Sequence, residues 1–203
     1  MKSSVRKPTY PRRASAPDLF GSSAIVPGFR YEPDVISPAE QQKLVRDFEI
    51  LPFKPFEFHG YLGNRRVVSF GHRYDYAART LRDAETMPAF LEPLKQVAGR
   101  FSGIAASAFA QALVTEYAPG AGIGWHRDKP MFQDVVGLSF LAPCTLRLRC
   151  ETGTGWERRA IEIAPRSAYL LSGSVRNDWY HSIAPMGVLR YSVTFRSFRT
   201  NSV

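Results

Sequence analysis

The sequence predicts an α+β fold that is mainly β, a sandwich or jelly roll with helices packed outside it. Three observations support this class. Six apolar or alternating segments follow one another between residues 109 and 197, Pro or Gly marks the turns between them, and two helix-like segments come first. A series of short strands separated by turn signals is typical of sandwiches and jelly rolls.

Two helices are predicted upstream of the strands. The segment Ser37–Glu40 (SPAE) is a capping box with proline at the first helical position, so a helix begins there and runs to about Glu49. Apolar residues recur at helical spacing over about residues 87–101, although Pro93 would kink this second helix or delay its start.

The strands are predicted from apolar or alternating patterns bounded by turn residues. A hairpin is expected between the two helices, with residues 57–61 and 65–70 flanking a turn at residues 62–64. The later strands are Phe109–Tyr117, Asp134–Leu141, Thr145–Cys150, Arg158–Ile163, Ala168–Leu171 and Leu189–Ser197.

The charge of the chain is unevenly distributed. The 203 residues carry a net charge of +9, and five cations without an acid fall within the first sixteen residues. This Ser/Pro-rich segment lacks periodicity, so residues 1–25 are predicted to be a disordered basic tail before a single domain at residues 26–203. The tail is either an arm for nucleic acid or merely solvated, and a basic chain fits a polyanionic partner or an acidic small molecule.

The sequence also predicts a cytoplasmic protein. The basic start is followed by prolines and arginines rather than an apolar stretch, which argues against a signal peptide, and no segment suits a membrane crossing. Cys144 and Cys150 are six residues apart in a predicted strand, about 20 Å if extended, which is too far for a disulfide.

Three residues are candidate metal ligands. On a strand, His126 and Asp128 would project to the same face and share one ion, and His181 supplies a third donor. Two histidines and one carboxylate on one face of an octahedron characterise non-haem Fe(II) oxygenases. Zinc hydrolases use similar ligands, and a His–Asp pair is also common on surfaces, so this pattern alone leaves the metal open.

The last strand carries an unusual polar face. Alternation puts Arg190, Ser192, Thr194 and Arg196 on one side, with apolar residues on the other. If this side is internal, the guanidinium groups require an anion, and a dicarboxylate beside the metal would satisfy them. The alternative is an edge strand whose polar side faces water.

Four motifs together resemble the AlkB family of Fe(II)/2-oxoglutarate dioxygenases. In order and spacing they match across about residues 110–197, with weaker similarity from about residue 55. The motifs are Tyr117–Ala121 (YAPGA), His126–Asp128 (HRD), Trp179–Ile183 (WYHSI) and Arg190–Arg196 (RYSVTFR). The fold this resemblance implies is a double-stranded β-helix, a form of jelly roll, with its core at about residues 105–200.

The resemblance also implies roles for the site residues. His126, Asp128 and His181 would bind Fe(II). Arg190 would pair with the distal carboxylate of 2-oxoglutarate, aided by the Tyr117 hydroxyl. Arg196 would contact the other carboxylate or orient Asp128. Thr115, Ser192 and Thr194 would line the same wall, with Thr115 and Ser192 each replacing an asparagine of the DNA-repair members.

The reaction implied is oxidative demethylation. O2 and 2-oxoglutarate would be consumed, succinate and CO2 released, and a hydroxylated N-methyl group on DNA or RNA would be lost as formaldehyde. In the family, the region matching residues 55–80 forms a substrate lid. Its candidate substrate contacts are Arg65, Arg66, Phe70, Tyr74 and Tyr76, with composition suited to phosphate contact and base stacking. The alternative is a hydrophobic hairpin packed on the sheet.

Other functions stay open at this point. Pro130 stands where the founding bacterial enzyme has an acid that reads the base, and a proline side chain accepts no hydrogen bond. The same oxygenase chemistry on a protein or small molecule is therefore the main alternative, and a non-catalytic binding module is a third. The resemblance makes a monomer the default.

Overall fold

The computed structural model describes residues 26–199 except residues 59, 60, 76, 77 and 79. The predicted basic tail and the candidate substrate contact Tyr76 lie outside these described residues. The part described contains three α-helices, which are α1 (Pro38–Glu49), α2 (Glu92–Ser102) and α3 (Gly173–Asn177).

The same residues form thirteen β-strands, most of them in the second half of the chain. They are β1 (Phe29–Glu32), β2 (Lys54–Phe58), β3 (Tyr61–Phe70), β4 (His72–Asp75), β5 (Thr80–Asp83), β6 (Phe109–Tyr117), β7 (Ile123–His126), β8 (Phe132–Phe140), β9 (Cys144–Thr152), β10 (Gly155–Ile163), β11 (Ala168–Leu171), β12 (Tyr180–Ile183) and β13 (Arg190–Phe198).

Two antiparallel sheets form the body of the protein. The large sheet has the order β1-β11-β8-β13-β6-β3-β2, the small sheet has the order β10-β9-β12-β7, and β4 and β5 form a separate ribbon. An antiparallel two-sheet body with few helices confirms the predicted jelly-roll class.

The large sheet buries a different core on each face. On its outer face, Tyr191, Val193 and Phe195 of β13 join the apolar residues of α1 and α2 in one cluster. Phe48 of α1 is fully buried there, and its ring centroid lies 5.1 Å from that of Phe140. A second cluster lies on the inner side and includes apolar residues of both sheets. The apolar face of β13 packs against the helices, so its polar face points inward.

Both predicted helices are present; the first begins at the predicted capping box, and the second begins at Glu92 rather than at about residue 87. The Ser37 Oγ accepts from the Glu40 amide at 3.2 Å, while the Ser37 amide donates to the Glu40 carboxylate at 2.7 Å. Pro93 delays the second helix rather than kinking it. A 3₁₀ turn at Ala89–Leu91 precedes α2. Pro93 lies in the first turn of α2, where a proline costs no hydrogen bond.

The predicted hairpin turn at residues 62–64 is wrong. Those residues belong to β3, and Glu57 pairs with Leu62, so the connection between β2 and β3 falls before Tyr61.

The structure does not confirm a lid over residues 55–80. Strands β2 and β3 extend the large sheet through pairing of β3 with β6, and β4 pairs with β5 as a ribbon. Cys144 and Cys150 are both free thiols, as predicted. None of the helices in the described part of the chain has the length and apolar character needed to cross a membrane.

Replacing Ser37 with alanine should destabilise the protein by about 1 kcal/mol, because the first turn of α1 loses its side-chain acceptor. The free energy of unfolding from urea denaturation measures this loss. The matched variant Ser37→Asn keeps a capping oxygen and should unfold close to the wild-type midpoint. Equal losses in the two variants would contradict the capping role.

Candidate metal and co-substrate site

Two short strands of the small sheet bring the candidate histidines together. His126 ends β7, His181 lies in β12, and the two residues are direct partners in the antiparallel pairing. Their ring centroids are 4.1 Å apart. The sequence predicts neither strand, since each has four residues and little apolar periodicity.

Asp128 reaches the histidines by a route that differs from the predicted one. It lies beyond the end of β7, so strand alternation does not place it. Its Oδ1 instead accepts from the Arg196 guanidinium, at 2.9 Å from Nε and 2.8 Å from Nη2. Its Oδ2 then lies 3.5 Å from the His181 Nε2. The resemblance implies that Arg196 either contacts 2-oxoglutarate or orients Asp128, and this geometry matches the second role.

The protonation of these groups suits a cation. Burial raises the pKa of Asp128, but the Arg196 guanidinium and both imidazoles outweigh that effect and hold it well below its usual range. Burial lowers the pKa of His181 to about 3, helped by the nearby His126, and it also lowers the pKa of His126. The carboxylate is thus charged and both imidazoles are neutral at pH 7.

The hydrogen bond of His126 fixes its tautomer. Its Nδ1 lies 2.9 Å from the Gly124 carbonyl oxygen, which only accepts, so Nδ1 carries the proton and Nε2 keeps its lone pair. Two neutral imidazoles and a carboxylate form a donor set that fits Fe(II). Within the part of the chain that the structure describes, no three His, Cys, Asp or Glu side chains are arranged so that they could all bind one metal ion. The fit therefore rests on donor chemistry and on the proximity of the three side chains.

Gln111 is a supporting residue that sequence reasoning missed. Its Oε1 accepts from the Arg196 Nη1 at 3.1 Å, and its Nε2 donates to the Ser69 hydroxyl at 3.0 Å and the His72 carbonyl at 2.7 Å. Its position opposite Arg196 in the β6–β13 register fixes the guanidinium that holds Asp128. A buried amide on a largely apolar strand is the signal that would have indicated it.

Arg176 of α3 is a second missed residue. It is 4% exposed, and its Nη2 donates to the carbonyl oxygens of Lys129 at 2.6 Å and Phe132 at 2.8 Å. These bonds fasten the segment that follows Asp128 to the helix. In sequence, this arginine resembles any other cation on a short helix.

Arg190 provides an unpaired positive charge deep between the sheets. Its side chain is fully buried, and its Nε donates to the Ser139 hydroxyl at 3.2 Å. Its Cζ lies 5.0 Å from the centroid of the Tyr117 ring. Within the described structure, both Nη atoms are buried without a hydrogen-bond partner. A buried charge is costly unless paired, so this position between the sheets fits a carboxylate ligand.

The wall between the two arginines is polar, as predicted. Ser192 lies between Thr115 and Ser139 in the pairing of β13 with β6 and β8, and both Thr115 and Ser192 are buried. Thr194 is also buried, and its Oγ1 lies 3.4 Å from the Leu113 carbonyl oxygen. The candidate co-substrate residues therefore share one inner face.

Tyr169 contributes to this wall although nothing in the sequence indicates it. Its ring covers Gly137, where a Cβ would come within 2.2 Å of the Tyr169 Cζ. Burial raises the pKa of the Tyr169 hydroxyl, and the charge of Arg190 partly opposes that shift. Glycine at position 137 therefore makes room for an aromatic ring beside the buried guanidinium.

Two of the predicted substrate contacts lie near the metal ligands. Arg65 acts electrostatically on His126, lowering its pKa, and its Cζ lies 3.8 Å from the Phe56 ring centroid. The Tyr74 ring centroid lies 4.5 Å from the Nζ of Lys129, the residue after Asp128.

Two other predicted contacts face away from the site. Arg66 forms a bidentate ion pair with Glu116, at 2.7 and 2.8 Å, and Tyr191 also bonds to that carboxylate. Phe70 is 3% exposed and belongs to the core beneath the helices. The reason is alternation along β3, which turns Arg66 and Phe70 to the outer face and Arg65 to the inner one.

Comparisons with known proteins agree with this arrangement. The family model of the 2OG-Fe(II) oxygenase superfamily matches residues 28–196. The chain therefore belongs to the 2OG-Fe(II) oxygenase superfamily, whose members use Fe(II), 2-oxoglutarate and O2.

Individual relatives confirm the resemblance to the AlkB family. The chain is 28% identical over 189 residues to the "Alkylated DNA repair protein ALKBH8 homolog" of Arabidopsis thaliana, covering 81% of this chain and 53% of the relative. An uncharacterized protein of Acanthamoeba polyphaga mimivirus is 34% identical over 100 residues, covering 43% of this chain and 47% of that protein. The chain thus spans about half the length of the curated relatives it matches.

Solved structures share the fold. The structure of OsALKBH1 superposes with a TM-score of 0.64 at 15% identity, covering 84% of this chain and 96% of that one. A prolyl-4-hydroxylase from Pseudomonas putida superposes with a TM-score of 0.54 at 15% identity, covering 85% and 94%.

The buried histidines predict the pH dependence of stability without metal. Between pH 6.5 and about 3 the unfolded chain binds a proton at His181 that the folded protein does not, so the free energy of unfolding falls as pH falls. His126 acts in the same direction. Asp128 adds its own loss at lower pH, because its folded-state pKa lies below the ordinary value.

We expect His181→Gln to flatten this dependence by about one proton, as measured by urea denaturation in EDTA at pH 7, 6 and 5. His72→Gln, which changes a histidine outside the cluster, is the matched control. If the pH dependence is unchanged in His181→Gln, the imidazole of His181 has the same pKa in the folded and the unfolded wild-type protein, which would contradict the prediction.

Proposed function

We propose that this chain catalyses Fe(II)- and 2-oxoglutarate-dependent oxidative demethylation of N-alkylated nucleic-acid bases. One observation carries the proposal. The donors His126, Asp128 and His181 and the unpaired guanidinium of Arg190 face the same interior, where a metal and a dicarboxylate would lie side by side.

His126, Asp128 and His181 would hold the iron. The ionised carboxylate supplies negative charge, and the bond from His126 Nδ1 to the Gly124 carbonyl keeps Nε2 available as a ligand. When bound, Fe(II) with 2-oxoglutarate and O2 supplies the oxidation of a substrate C–H bond, yielding succinate and CO2.

Arg190 would bind the distal carboxylate of 2-oxoglutarate. Its two partnerless Nη atoms match the two oxygens of a carboxylate, and Ser139 holds the guanidinium through Nε. Tyr117 lies against the guanidinium, with Thr115, Ser192 and Thr194 along the wall. The Arg196 guanidinium already donates hydrogen bonds to Asp128 and Gln111, so its role is to position the Asp128 carboxylate, the candidate iron ligand.

The side of the site near His126 is suited to a polyanion with an exposed base. Arg65 and Lys129 contribute cations there, beside the rings of Phe56 and Tyr74. Cations that contact phosphates, together with rings that stack on bases, are what a base-modifying enzyme requires. The named Arabidopsis relative, an alkylated DNA repair protein homolog, supports the same substrate class.

The proposal is tested by incubating the protein with Fe(II), 2-oxoglutarate and methylated single- and double-stranded DNA and RNA oligonucleotides. We expect a mass loss of one methylene per lesion, with formaldehyde and succinate released. Asp128→Ala should abolish the reaction, whereas Asp178→Ala, which removes an exposed carboxylate on the same chain, should not. Demethylation that persists in Asp128→Ala would refute the iron assignment.

A different substrate class would give a different result. Oxygenase chemistry on a protein or small molecule would leave the methylated oligonucleotides intact, while 2-oxoglutarate would still be converted to succinate in an Asp128-dependent way.

Arg190→Met separates co-substrate binding from folding. Losing one partner of a buried charge pair costs about 2–5 kcal/mol, so the Kd for 2-oxoglutarate should rise by at least about 30-fold. Without 2-oxoglutarate the variant should be as stable as wild type or more so, because methionine fills the space without an unpaired charge. Isothermal titration and thermal denaturation measure the two effects. Unchanged 2-oxoglutarate affinity would exclude the proposed role of Arg190.

A further inference from the structure

The outer face of the small sheet carries a dense group of arginine and aromatic side chains that the proposed reaction does not use. Strand alternation turns these residues away from the metal ligands, which belong to two strands of the same sheet. We call this surface the arginine–aromatic face, and it consists of Trp125, Arg147, Arg149, Trp156, Arg158 and Tyr180.

Two of the three guanidinium groups of this face, those of Arg147 and Arg149, are stacked on rings. The Cζ of Arg149 lies 4.4 Å from the Trp125 centroid and 4.3 Å from the Trp156 centroid, so it is held between two indoles. Arg147 stacks on Trp125 at 5.3 Å. Tyr180 meets Trp156 edge to face at 6.0 Å. Stacking occupies the flat faces of a guanidinium and leaves its in-plane N–H groups to donate outward.

These arginines lack acidic partners. Within the described residues, no carboxylate lies within 4 Å of the guanidinium nitrogens of Arg147, Arg149 or Arg158. Arg147 donates Nε to the Ser182 hydroxyl at 3.0 Å, and Arg149 has a buried Nε without a partner. Within the described residues, no ion pair therefore neutralises these three positive charges directly.

The same face offers space and an exposed ring. A cleft of about 250 Å³ lies between Trp125, Arg147 and Arg158, and Trp156 is 37% exposed. Fixed planar cations suit phosphate oxygens, and an exposed indole suits a base. An acidic peptide would pair with the cations but would leave the ring without a matching partner.

We propose that the arginine–aromatic face binds the backbone of a single nucleic-acid strand, at a surface separate from the active site. The charge is complementary to phosphate, and the alternation of cations with rings provides for backbone contact and base stacking together.

The position of this face relates it to the site. Trp125 precedes His126 in β7 and Tyr180 precedes His181 in β12, so the face and the metal ligands lie on opposite sides of the same strands. Strand β7 is an edge of the small sheet, and the exposed Arg127 next to it stacks on Tyr180 at 4.7 Å. A nucleic-acid strand bound on the face would thus pass over this edge of the sheet and continue toward the segment that carries Asp128.

The test compares two double variants that each remove two positive charges. Arg147→Gln/Arg158→Gln alters the face, and Lys43→Gln/Arg46→Gln alters exposed cations of α1 on the far side of the large sheet. Binding of labelled, unmethylated 20-nucleotide DNA and RNA strands is measured by fluorescence anisotropy between 50 and 200 mM salt. Both variants keep the basic N-terminal segment, so its contribution cancels.

We expect the face variant to bind at least about tenfold more weakly than the α1 variant. The slope of log K against log salt should also shrink by about 1.4, the value for two phosphate contacts on a single strand. Equal affinity in the two variants would overturn the proposal. Competition by polyglutamate as effective as that by the unlabelled strand would also overturn it, in favour of an acidic protein partner.

This result is independent of the proposed reaction. Conversion of 2-oxoglutarate to succinate without substrate should be the same in the face variant and the wild type, which shows that the fold and the site are intact. Asp128→Ala should lose demethylation but keep strand binding. A protein that binds strands through this face but demethylates none would therefore refute the proposed function and leave this inference standing.

Discussion

The contact between Arg196 and Asp128 joins the two sheets at the point where the candidate iron ligands meet. Strand β13 of the large sheet supplies the guanidinium, and the segment after β7 of the small sheet supplies the carboxylate. Gln111 fixes the arginine from a third strand. Because a buried carboxylate needs a partner, this ion pair decides where the segment after His126 can lie and thereby brings Asp128 to His181.

The two buried arginines of β13 give the inner face of the large sheet two ends with different chemistry. Arg196 is neutralised by Asp128 within the protein, whereas Arg190 keeps two Nη atoms without partners in the described structure. Of the two, Arg190 is the one that the proposed function assigns to an external anion. A site built in this way gains stability when it binds a dicarboxylate, since the cost of burying the charge is met by the ligand rather than by the fold.

The two faces of each sheet have different roles. The large sheet packs its outer face against α1 and α2 and turns its inner face toward the small sheet. The small sheet holds the histidines inside and the stacked arginines outside. Charge is distributed accordingly. Besides the buried arginines, Arg65 and Lys129 are cations beside the site, and the outer face of the small sheet has its own group of cations, so the net charge of +9 describes neither group.

The sequence by itself determined the jelly-roll class, the helix starts at Ser37 and near Pro93, and the alternation of β13, because these depend on local pattern. It also contained the ligand and arginine motifs. Tertiary structure decided which face of a strand is internal, so Arg66 and Phe70 turned to the helices although their composition suited a substrate contact. It also decided the pairing of β7 with β12 and the roles of Gln111, Arg176 and Tyr169, since contacts between residues 32 or more positions apart leave no periodic signal.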